Sequence, residues 1–371
     1  MNFLIAPIAI GSISAILAAI ISITDKIVNN YGDVVLNINN GKKELTVKGG
    51  NPLLSSLAEQ GIFVPSACGG RGSCGACKVK VNSDIGPILP TEGPYLTKEE
   101  KSENVRLSCQ IKVKTDLDLE IPEELFNIQR YTGKVEKIGD VTHDIKEVLV
   151  KLEDPETISF TAGQYVQLVI PPYDKIKGST QRAYSMSSQP SDNTHVEMLI
   201  RLVPGGIATT YVHTKMEEGQ KIDLVGPFGE FHVQDTEADM ICVAGGSGMA
   251  PFKSILYEMK EKGITDRTIW YFFGARSKRD LFYLDKMQEL EKEWPNFHFV
   301  PALSEPQEED QWDGATGLIT DVLDDYFQTK MDKSSEKEGY LCGSPGMIDA
   351  CIKVMTKNSI PEDKIYYDKF A

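Results

Sequence analysis

Four cysteines have the types and spacing that could hold an inorganic cluster. Cys68, Cys74 and Cys77 follow a C-x5-C-x2-C spacing, and Cys109 comes much further along the chain. Glycine and other small residues fill the gaps, which lets the chain wrap tightly and brings backbone N–H groups near the sulfurs. Several thiolates in such a loop are typical of iron–sulfur ligation. The pattern therefore predicts an iron–sulfur cluster held by these four residues.

Zinc and disulfide bonds are the alternative uses of these cysteines. Structural zinc sites favour two C-x2-4-C pairs or a mixture of Cys and His ligands, whereas this chain has one close pair. Seven cysteines, an odd number, make a poor disulfide framework. Cys242, Cys342 and Cys351 stand outside the cluster pattern and fit a reducing compartment. Cluster ligation is favoured, with zinc as the main alternative.

Length and composition indicate a globular protein of several domains. A chain of 371 residues exceeds what one hydrophobic core supports and suggests two or three domains. The net charge of −15 argues against nucleic acid as a partner, because phosphate binding needs a basic surface. The five histidines form neither a ligand pair nor a triad with a nucleophile, so hydrolase and histidine–metal functions receive little support.

The N-terminal segment differs from the rest because it has no charged residue between Phe3 and Thr24. As a helix, this run would measure about 33 Å, which is enough to cross the hydrocarbon core of a bilayer. A cleaved signal peptide is the alternative, but no basic residue precedes the run, and Asp25 and Lys26 end it. We therefore predict a single transmembrane helix over residues 1–26, and the lysines after it favour a cytoplasmic location for the rest.

Three patterns of apolar residues divide the remainder of the chain. Residues 33–121 contain short strands, turns and a short helix around the cysteine loop, which predicts a small α+β domain. Short strands separated by turn residues dominate 131–234 and predict an antiparallel barrel. From 238 to 371, apolar strands alternate with helices, which predicts a parallel sheet covered on both faces. The acidic stretch Ser304–Asp313 predicts a solvated loop.

A glycine-rich segment, Gly245-Gly-Ser-Gly-Met-Ala-Pro251, could bind a diphosphate. It follows a buried strand and opens a helix, and Gly245, Gly246 and Gly248 would let a phosphate approach the helix N-terminus. A tight turn without a ligand is the alternative. Pro251 stands where the dinucleotide fingerprint has Gly or Ala, which points away from the standard Rossmann dehydrogenases.

Two segments of the predicted barrel could bind a flavin. At a predicted strand start, Arg182 could pair with a pyrophosphate, Tyr184 could stack on the ring and Ser185 could hydrogen-bond its polar edge. Any barrel strand could contain such a tetrapeptide, so it is weak evidence alone. The second segment opens a predicted helix whose N–H groups could receive phosphate. Its residues of interest are Gly205, Gly206, Thr209 and Thr210.

In this order the segments resemble the ferredoxin–NADP⁺ reductase superfamily, which joins an R-x-Y-S flavin barrel to a G-G-x-G-x-x-P nicotinamide domain. Cys342-Gly-Ser-Pro345 is similar to its C-G-x-P element, in which the Cys lies near the nicotinamide. The resemblance implies Cys342 and Phe370 as catalytic-centre residues, the latter as a ring over the flavin, and Gly343 and Pro345 as cofactor contacts. On physical grounds alone, Cys342 is a buried strand-end thiol and Phe370 a frayed terminus.

The whole chain resembles the family of F subunits of the sodium-translocating NADH:quinone oxidoreductases. The cysteine loop is similar to those of adrenodoxin-like and reductase-associated ferredoxins, which hold a [2Fe–2S] cluster on a β-grasp fold. The resemblance implies FAD and NADH as further cofactors, other membrane subunits of a respiratory complex as partners, and the cell inner membrane as location. One departure is that only residues 164–181 separate Gly163 from Arg182, where many family members have a longer insertion.

The reaction implied by this resemblance passes electrons from NADH to FAD, then singly to the [2Fe–2S] cluster, and then to a membrane partner. Hydrogen bonds to the reduced flavin are expected from the hydroxyls of Ser185 and Thr210. A membrane-anchored reductase that feeds an oxygenase or another acceptor, without ion pumping, is the alternative. A further alternative is an electron-transfer subunit that has lost hydride chemistry.

Two features of the sequence disagree about whether the nicotinamide cofactor is NADH or NADPH. Arg276, Lys278 and Arg279 follow the second strand of the predicted parallel sheet, where the adenosine ribose should lie, and such a basic cluster would suit a 2′-phosphate. No acidic residue stands at that strand end to receive a 2′-hydroxyl. The segment nevertheless resembles the NADH-using family, so NADH is expected, with Arg276 among its contacts.

Overall fold

The computed structural model describes residues 5–28, 31–174 and 176–370 and divides the chain into two units, Met1–Ile128 and Gln129–Ala371. The helices are α1 (Ile5–Val28), α2 (Leu53–Glu59), α3 (Lys98–Ser102), α4 (Ile207–Thr214), α5 (Met249–Glu261), α6 (Leu284–Glu293), α7 (Ile319–Thr329) and α8 (Pro345–Lys357). The strands are β1 (Asp33–Ile38), β2 (Lys43–Lys48), β3 (Lys78–Val81), β4 (Val105–Leu107), β5 (Leu117–Glu120), β6 (Gln129–Asp140), β7 (Ile145–Asp154), β8 (Tyr165–Ile170), β9 (Thr180–Ser185), β10 (His195–Arg201), β11 (Lys221–Phe228), β12 (Asp239–Gly245), β13 (Ile269–Ala275), β14 (Phe297–Leu303), β15 (Ala315–Thr316), β16 (Lys337–Gly343) and β17 (Ile365–Lys369).

The N-terminal helix α1 presents large apolar side chains to solvent. Ile16 is 59% exposed and Ile21 is 65% exposed. Among the residues that the structure describes, none of the helices combines the length and the apolarity that a bilayer crossing requires. The transmembrane helix predicted over residues 1–26 includes positions 1–4, which lie outside the described residues.

The first unit folds around the sheet β2-β1-β5-β3-β4. Strand β1 runs antiparallel to β2 and parallel to β5, and alternate residues of β1 point into the core, as expected for a strand with one buried face. Leu53 and Leu57 bury one side of α2 against this sheet core. A helix packed across a mixed sheet in this order is the β-grasp arrangement, and the α+β prediction is confirmed.

A buried ion pair between Glu92 and Arg106 of β4 stabilises the first unit. The Glu92 side chain is completely buried, and its carboxylate accepts hydrogen bonds from Arg106 at 2.7 Å and from the backbone N–H of Leu107 at 3.0 Å. Burial opposes ionisation, but the Arg106 guanidinium holds the net pKa of Glu92 below its ordinary value. Removing one partner of such a pair leaves an uncompensated buried charge.

In the second unit, the residues after Gln129 form an antiparallel sheet in the order β10-β7-β6-β11-β8-β9. A bridge between Met186 and Met198 joins the β9 side to β10 and closes the sheet into a barrel. Its interior is filled by alternating apolar residues such as Val148, Val166 and Leu224. The prediction of an antiparallel barrel is confirmed.

The remainder of the second unit is a parallel sheet in the order β15-β14-β13-β12-β16-β17. Apolar clusters cover both of its faces, which explains the near-continuous apolar strands in the sequence. Because β13 and β16 lie on opposite sides of β12, the strand order reverses beside β12, and open parallel sheets bind ligands at such a point. The predicted parallel sheet is confirmed.

Helix α6 begins later than its sequence suggests. The sequence pattern favours a continuous helix from Asp280 to Glu293, but residues Lys278–Asp280 form a separate 3₁₀ turn. Tyr283, with φ 56°, then adopts a left-handed conformation that interrupts the chain before Leu284. Periodicity alone could not show this break, because the apolar spacing continues across it.

Candidate functional site

The four cysteines of the first unit form two close pairs. The sulfurs of Cys68 and Cys74 lie 3.4 Å apart, and the thiol of Cys77 is hydrogen-bonded to Cys109. Cys77 directly precedes β3 and Cys109 follows β4, so the pairing of these strands brings the distant cysteine to the loop. Nowhere in the described ranges do three or more Cys, His, Asp or Glu side chains surround one point. Two pairs of cysteine sulfurs match a cluster of two irons.

Hydrogen bonds from the loop favour thiolates in both pairs. The pKa of Cys68 is lowered to about 3, chiefly because the Cys74 thiol donates to its sulfur, with help from the backbone at Ser73 and Arg71. The pKa of Cys109 is lowered to about 6, chiefly by the Cys77 thiol. The same donations, together with burial, raise the pKa of Cys74 and Cys77. Thiolates are the form that ligates iron.

Gly72, in the loop between Cys68 and Cys74, leaves room for the side chain of Gln110, which contacts Cys109. Gly72 has φ +72°, and a Cβ there would lie 2.6 Å from Gln110 Nε2. That amide donates to Cys109 Sγ at 3.4 Å. The donor set and its backbone hydrogen bonds therefore fit a [2Fe–2S] group.

Three flavin-site candidates lie at the end of β9. The sequence predicts this tetrapeptide at a strand start, and the structure corrects the prediction, since Ser185 is the last residue of the strand. Arg182 Nη1 donates to Thr180 Oγ1 at 3.0 Å and to Gln181 O at 2.6 Å. Tyr184 packs against the barrel core, and burial raises the pKa of its hydroxyl.

The segment before α4 brings a second group of candidates beside the barrel. Gly206 caps the helix. Thr209 is buried, and its hydroxyl accepts from Val203 N at 3.1 Å, so this side chain holds the loop closed. Thr210 is half-buried one residue further along, with its N–H bonded to the carbonyl of Gly206. The hydroxyl of Thr209 thus has a structural partner within the loop.

Ser185 contacts the parallel sheet through the carboxylate of Asp368, a residue that the sequence analysis did not identify. Its Oγ lies 3.2 Å from Asp368 Oδ2. In the register of β16 and β17, Asp368 stands opposite Cys342. Three residues from distant segments therefore converge where the barrel contacts the carboxyl end of the sheet. Asp368 has no local motif; only its position two residues before Phe370 could have drawn attention to it.

Burial controls the ionisation of these groups. Burial raises the pKa of the Asp368 carboxyl above its ordinary value, and the hydrogen bond from Ser185 acts in the opposite direction. Burial, and then the neighbouring Asp368, raise the pKa of the Cys342 thiol. Cys342 is therefore a neutral thiol at neutral pH. Burial where the barrel contacts the parallel sheet disfavours the charged forms of both Cys342 and Asp368. An uncharged ring system fits such a surface better than a hydrated anion.

The glycine turn after β12 places its residues at the same edge of the sheet. Gly245 ends β12, Gly246 and Gly248 form a short 3₁₀ turn, and Pro251 occupies the first turn of α5, where its missing N–H costs no helical hydrogen bond. A Cβ on Gly248 would lie 2.4 Å from the carbonyl oxygen of Cys342. Glycine is needed there because two backbones touch.

Like Asp368, Arg201 belongs to no sequence motif and yet lies beside the candidate site. It ends β10, and its Nη1 lies 3.5 Å from the position that a Cβ of Gly246 would occupy. Its Nε donates to Asp144 Oδ2 at 2.8 Å. A guanidinium beside a glycine turn suits a diphosphate. Only the packing of the barrel against the sheet reveals this proximity.

The remaining candidates extend around the same edge. Gly343 ends β16, and Pro345 begins α8, a helix position that proline favours. Phe370 is partly buried against the core, and its N–H bonds to Gly343 O at 2.9 Å. Arg276 follows β13 and is exposed. Most candidates of the second unit thus border the barrel–sheet junction, whereas Arg276 lies at the end of β13.

Contacts across the junction fix α5 against the barrel. Lys253 of α5 forms an ion pair with Glu197 of β10, and both side chains are largely buried. Ser254 Oγ donates to Ser188 O at 2.6 Å. The helix whose N-terminus follows the glycine turn is therefore held in a fixed position relative to the barrel.

Three family models match the chain in the order of these sites. They are described as a 2Fe-2S iron-sulfur cluster binding domain at residues 36–114, an oxidoreductase FAD-binding domain at 132–233 and an oxidoreductase NAD-binding domain at 242–353. The chain therefore contains domains for a [2Fe–2S] cluster, FAD and a nicotinamide dinucleotide, and the predicted cofactors are confirmed.

Curated relatives and solved structures resemble the chain along most of its length. It is 35% identical to the F subunit of the Na(+)-translocating NADH-quinone reductase of Neisseria meningitidis over 406 aligned positions that cover 100% of both chains. The F subunit of the same reductase in Actinobacillus succinogenes is also 35% identical, with 100% of this chain and 99% of the relative covered. A cytochrome P450 reductase from Amycolatopsis has a TM-score of 0.72 and 26% identity, covering 91% of this chain and 98% of its own. The ferredoxin reductase in carbazole 1,9a-dioxygenase has a TM-score of 0.68 and 25% identity, covering 92% and 99%.

Proposed function

The chain belongs to the family of the F subunits of the Na⁺-translocating NADH-quinone reductases, and we propose that it is the subunit through which electrons from NADH enter such a complex. Electrons pass from NADH through FAD to the [2Fe–2S] cluster. When bound, the flavin converts two-electron hydride chemistry into single-electron steps that a [2Fe–2S] cluster can accept.

The observation that supports hydride transfer most directly is the convergence of Ser185, Cys342 and Asp368. Ser185 Oγ donates its hydrogen to Asp368 Oδ2, 3.2 Å away, so its oxygen remains to accept a hydrogen bond from the edge of a ring. Cys342 supplies a small neutral thiol where the nicotinamide would approach. These roles, with Thr210 and Phe370 completing the pocket for the flavin, are part of the proposal.

The chain's own groups would position the two dinucleotides. Arg182, on the face of β9 shared with Tyr184, would bind the pyrophosphate of FAD, and Gly206 would let it approach α4. The turn Gly245–Gly248 and the N-terminus of α5 would receive the diphosphate of NADH, with Arg201 beside it. In the first unit, Cys68 and Cys74 would bind one iron, and Cys77 and Cys109 the other.

We also propose that the N-terminal segment anchors the protein to the cell inner membrane, with residues 33–371 in the cytoplasm. The charge-free run from Phe3 to Thr24 and the exposed isoleucines of α1 support this anchor. The name of the relatives supports a complex with other membrane subunits as the electron acceptor. The relatives align over 406 positions against 371 residues here, so this chain lacks segments that they have.

The proposed function is tested with the full chain purified in detergent. NADH-dependent ferricyanide reduction tests the flavin site, and reduction of the visible cluster bands by NADH tests the next step. Membranes from cells with and without the gene then test NADH-driven quinone reduction and its stimulation by sodium. Absence of NADH oxidation by a protein that contains flavin would refute the proposal, and turnover without quinone reduction would limit it to the reductase.

A reductase that feeds an oxygenase is the second candidate function. It is favoured by the likeness to the Amycolatopsis cytochrome P450 reductase and to the carbazole 1,9a-dioxygenase reductase, each covering more than nine-tenths of this chain. The two functions differ in the acceptor. Affinity capture of the tagged chain from native membranes separates them: copurification of integral membrane subunits supports the complex, whereas copurification of a soluble oxygenase supports the alternative.

A further inference from the structure

The acidic loop Ser304–Asp313, expected to be solvated, is attached to the basic turn that follows β13. Glu305 N bonds to Arg276 O at 2.8 Å, and Ser304 N bonds to Ala275 O at 3.0 Å. The loop therefore continues alongside the end of β13. The basic cluster and the acidic loop, far apart in the sequence, are neighbours.

Asp310 makes the closest contact between the loop and the turn. Its Oδ2 accepts from the backbone N–H of Lys278 at 3.3 Å and from that of Gln307 at 2.9 Å. The Lys278 ammonium donates to the backbone carbonyl of Asp310 at 2.9 Å. The main-chain donor and the side-chain cation of Lys278 both have Asp310 as a partner.

The other carboxylate of this turn serves the turn itself. Asp280 Oδ2 accepts from Ser277 N at 2.9 Å and from Ser277 Oγ at 3.0 Å, which closes a capping box. Asp280 Oδ1 is buried without a hydrogen-bond partner among the described residues and lies 3.7 Å from His143 Nδ1. Asp280 therefore shapes the turn, whereas Asp310 reaches it from outside and remains partly exposed.

These contacts disfavour a 2′-phosphate at Lys278. A phosphate ester needs free N–H groups and unpaired cations, and it has nearly two negative charges at neutral pH. Here the backbone N–H and the ammonium of Lys278 are already bonded to Asp310. Glu308 and Glu309 precede Asp310 in the same 3₁₀ turn of the acidic loop and add negative charge there. A neutral 2′-hydroxyl brings no charge and can donate to a carboxylate.

We propose that Asp310 determines the choice of NADH over NADPH, by occupying the backbone N–H of Lys278 in the basic turn and offering an acceptor to the ribose hydroxyl. The inference rests on the proposed function, since it needs the nucleotide to lie at the carboxyl end of the sheet. Asp310 acts on the adenosine end of the cofactor, so its removal leaves the hydride-transfer groups intact.

The test compares kcat/KM for NADH and NADPH, with ferricyanide as acceptor, in the full chain. Asp310→Asn keeps an oxygen that can accept the two N–H bonds and removes the charge. It should raise kcat/KM for NADPH about threefold to tenfold. Asp310→Ala, which also removes the side-chain acceptor of the Lys278 backbone N–H, should give the larger gain. The gain should shrink between low and high salt, because the effect is electrostatic.

The matched control is Asp363→Asn, the same change of charge at an exposed position before β17. It should leave the NADH to NADPH ratio unchanged. An unchanged ratio in both Asp310 variants, with normal NADH turnover, overturns the inference while the proposed function stands. A change of ratio in Asp280→Asn but not in Asp310→Asn assigns selection to the turn and also overturns it. No NADH oxidation by the unaltered protein refutes the proposed function instead.

Discussion

The cysteine loop of the first unit and the barrel–sheet junction of the second are assembled in different ways. Three of the four proposed cluster ligands come from one short segment, and only Cys109 is brought from elsewhere by the pairing of β3 with β4. At the junction, Ser185, Cys342 and Asp368 come from three segments that meet only after two sheets have formed. A short-range site is specified by local sequence, whereas a long-range site depends on the register of strands.

The two regions also treat buried carboxylates in opposite ways. In the first unit, Glu92 is buried with a guanidinium and stays ionised. At the junction, Asp368 is buried beside a hydroxyl and a thiol, and its pKa is raised. The difference follows from the partner, since a guanidinium stabilises a buried carboxylate and a hydroxyl does not offset the cost of burying its charge.

Loss of one cluster ligand should have the largest effect and should be confined to the first unit. Cys74→Ala removes one member of a sulfur pair, so the visible cluster absorbance and the bound iron should both disappear. Flavin reduction by NADH, measured by stopped flow, should stay within about twofold, because the groups proposed to hold FAD and NADH belong to the second unit and independent sites behave additively. Cys351→Ala, which removes a buried thiol from α8, should keep full iron content. Loss of flavin reduction in Cys74→Ala would mean that the two regions are not independent.

A single methyl group at the junction should have the next largest effect. In Gly248→Ala the new Cβ would lie 2.4 Å from the carbonyl oxygen of Cys342, so the turn or β16 must move. We expect a loss of about 1–3 kcal/mol in stability and a decrease of about hundredfold in kcat/KM for NADH, because small misplacement is costly in catalysis. Gly346→Ala, with nothing within 4 Å, is the control. Wild-type kinetics in Gly248→Ala would contradict the close approach.

Arg182→Leu should affect only the flavin. Loss of a guanidinium proposed to pair with the pyrophosphate should weaken FAD binding about tenfold to hundredfold, since charge-assisted contacts of this kind contribute roughly 1.5–3 kcal/mol. Flavin content after gel filtration and fluorescence titration measure the effect, and the cluster spectrum serves as internal control. Normal flavin content would remove Arg182 from the site.

The smallest predicted effects concern pH, and their signs differ between the regions. The lowered pKa of Glu92 contributes stability above its ordinary value of 4.5, and this is lost as the pH falls. Glu92→Gln should therefore lower the melting temperature of the first unit most at pH 7, and less in acid. The raised pKa of Asp368 means that stability present below 3.8 is lost as the pH rises.

Asp368→Asn should consequently raise the melting temperature of the second unit by a few degrees at pH 7 and by nothing below pH 3.8. Cluster absorbance reports melting of the first unit, and flavin fluorescence reports the second. The same sign for both variants would mean that the carboxylates do not differ as described.

Sequence predicted the parts whose information is local. The cysteine spacing, the glycine turn and the alternation of strands each lie within a few residues, and they led to the cluster, the parallel sheet and the barrel. Asp368 and Arg201 were missed because no motif surrounds them; strand register and barrel packing bring them into place. The attachment of the acidic loop is invisible to local patterns because its partner, Lys278, lies some thirty residues earlier. The break before α6 was missed because Tyr283 keeps the apolar spacing.

Helix α5 has a consequence for the reuse of these domains. One of its ends follows the glycine turn, while Lys253 and Ser254 attach its body to β10 and to the segment before it. A hybrid protein that took its nucleotide-binding half from another source would keep a correctly folded sheet. It would nevertheless lose the two contacts that fix α5 against the barrel unless its own helix supplied a lysine and a serine at the positions of Lys253 and Ser254. In evolutionary terms, the barrel and the parallel-sheet domain can be exchanged between proteins only if the residues that join α5 to the barrel are exchanged together.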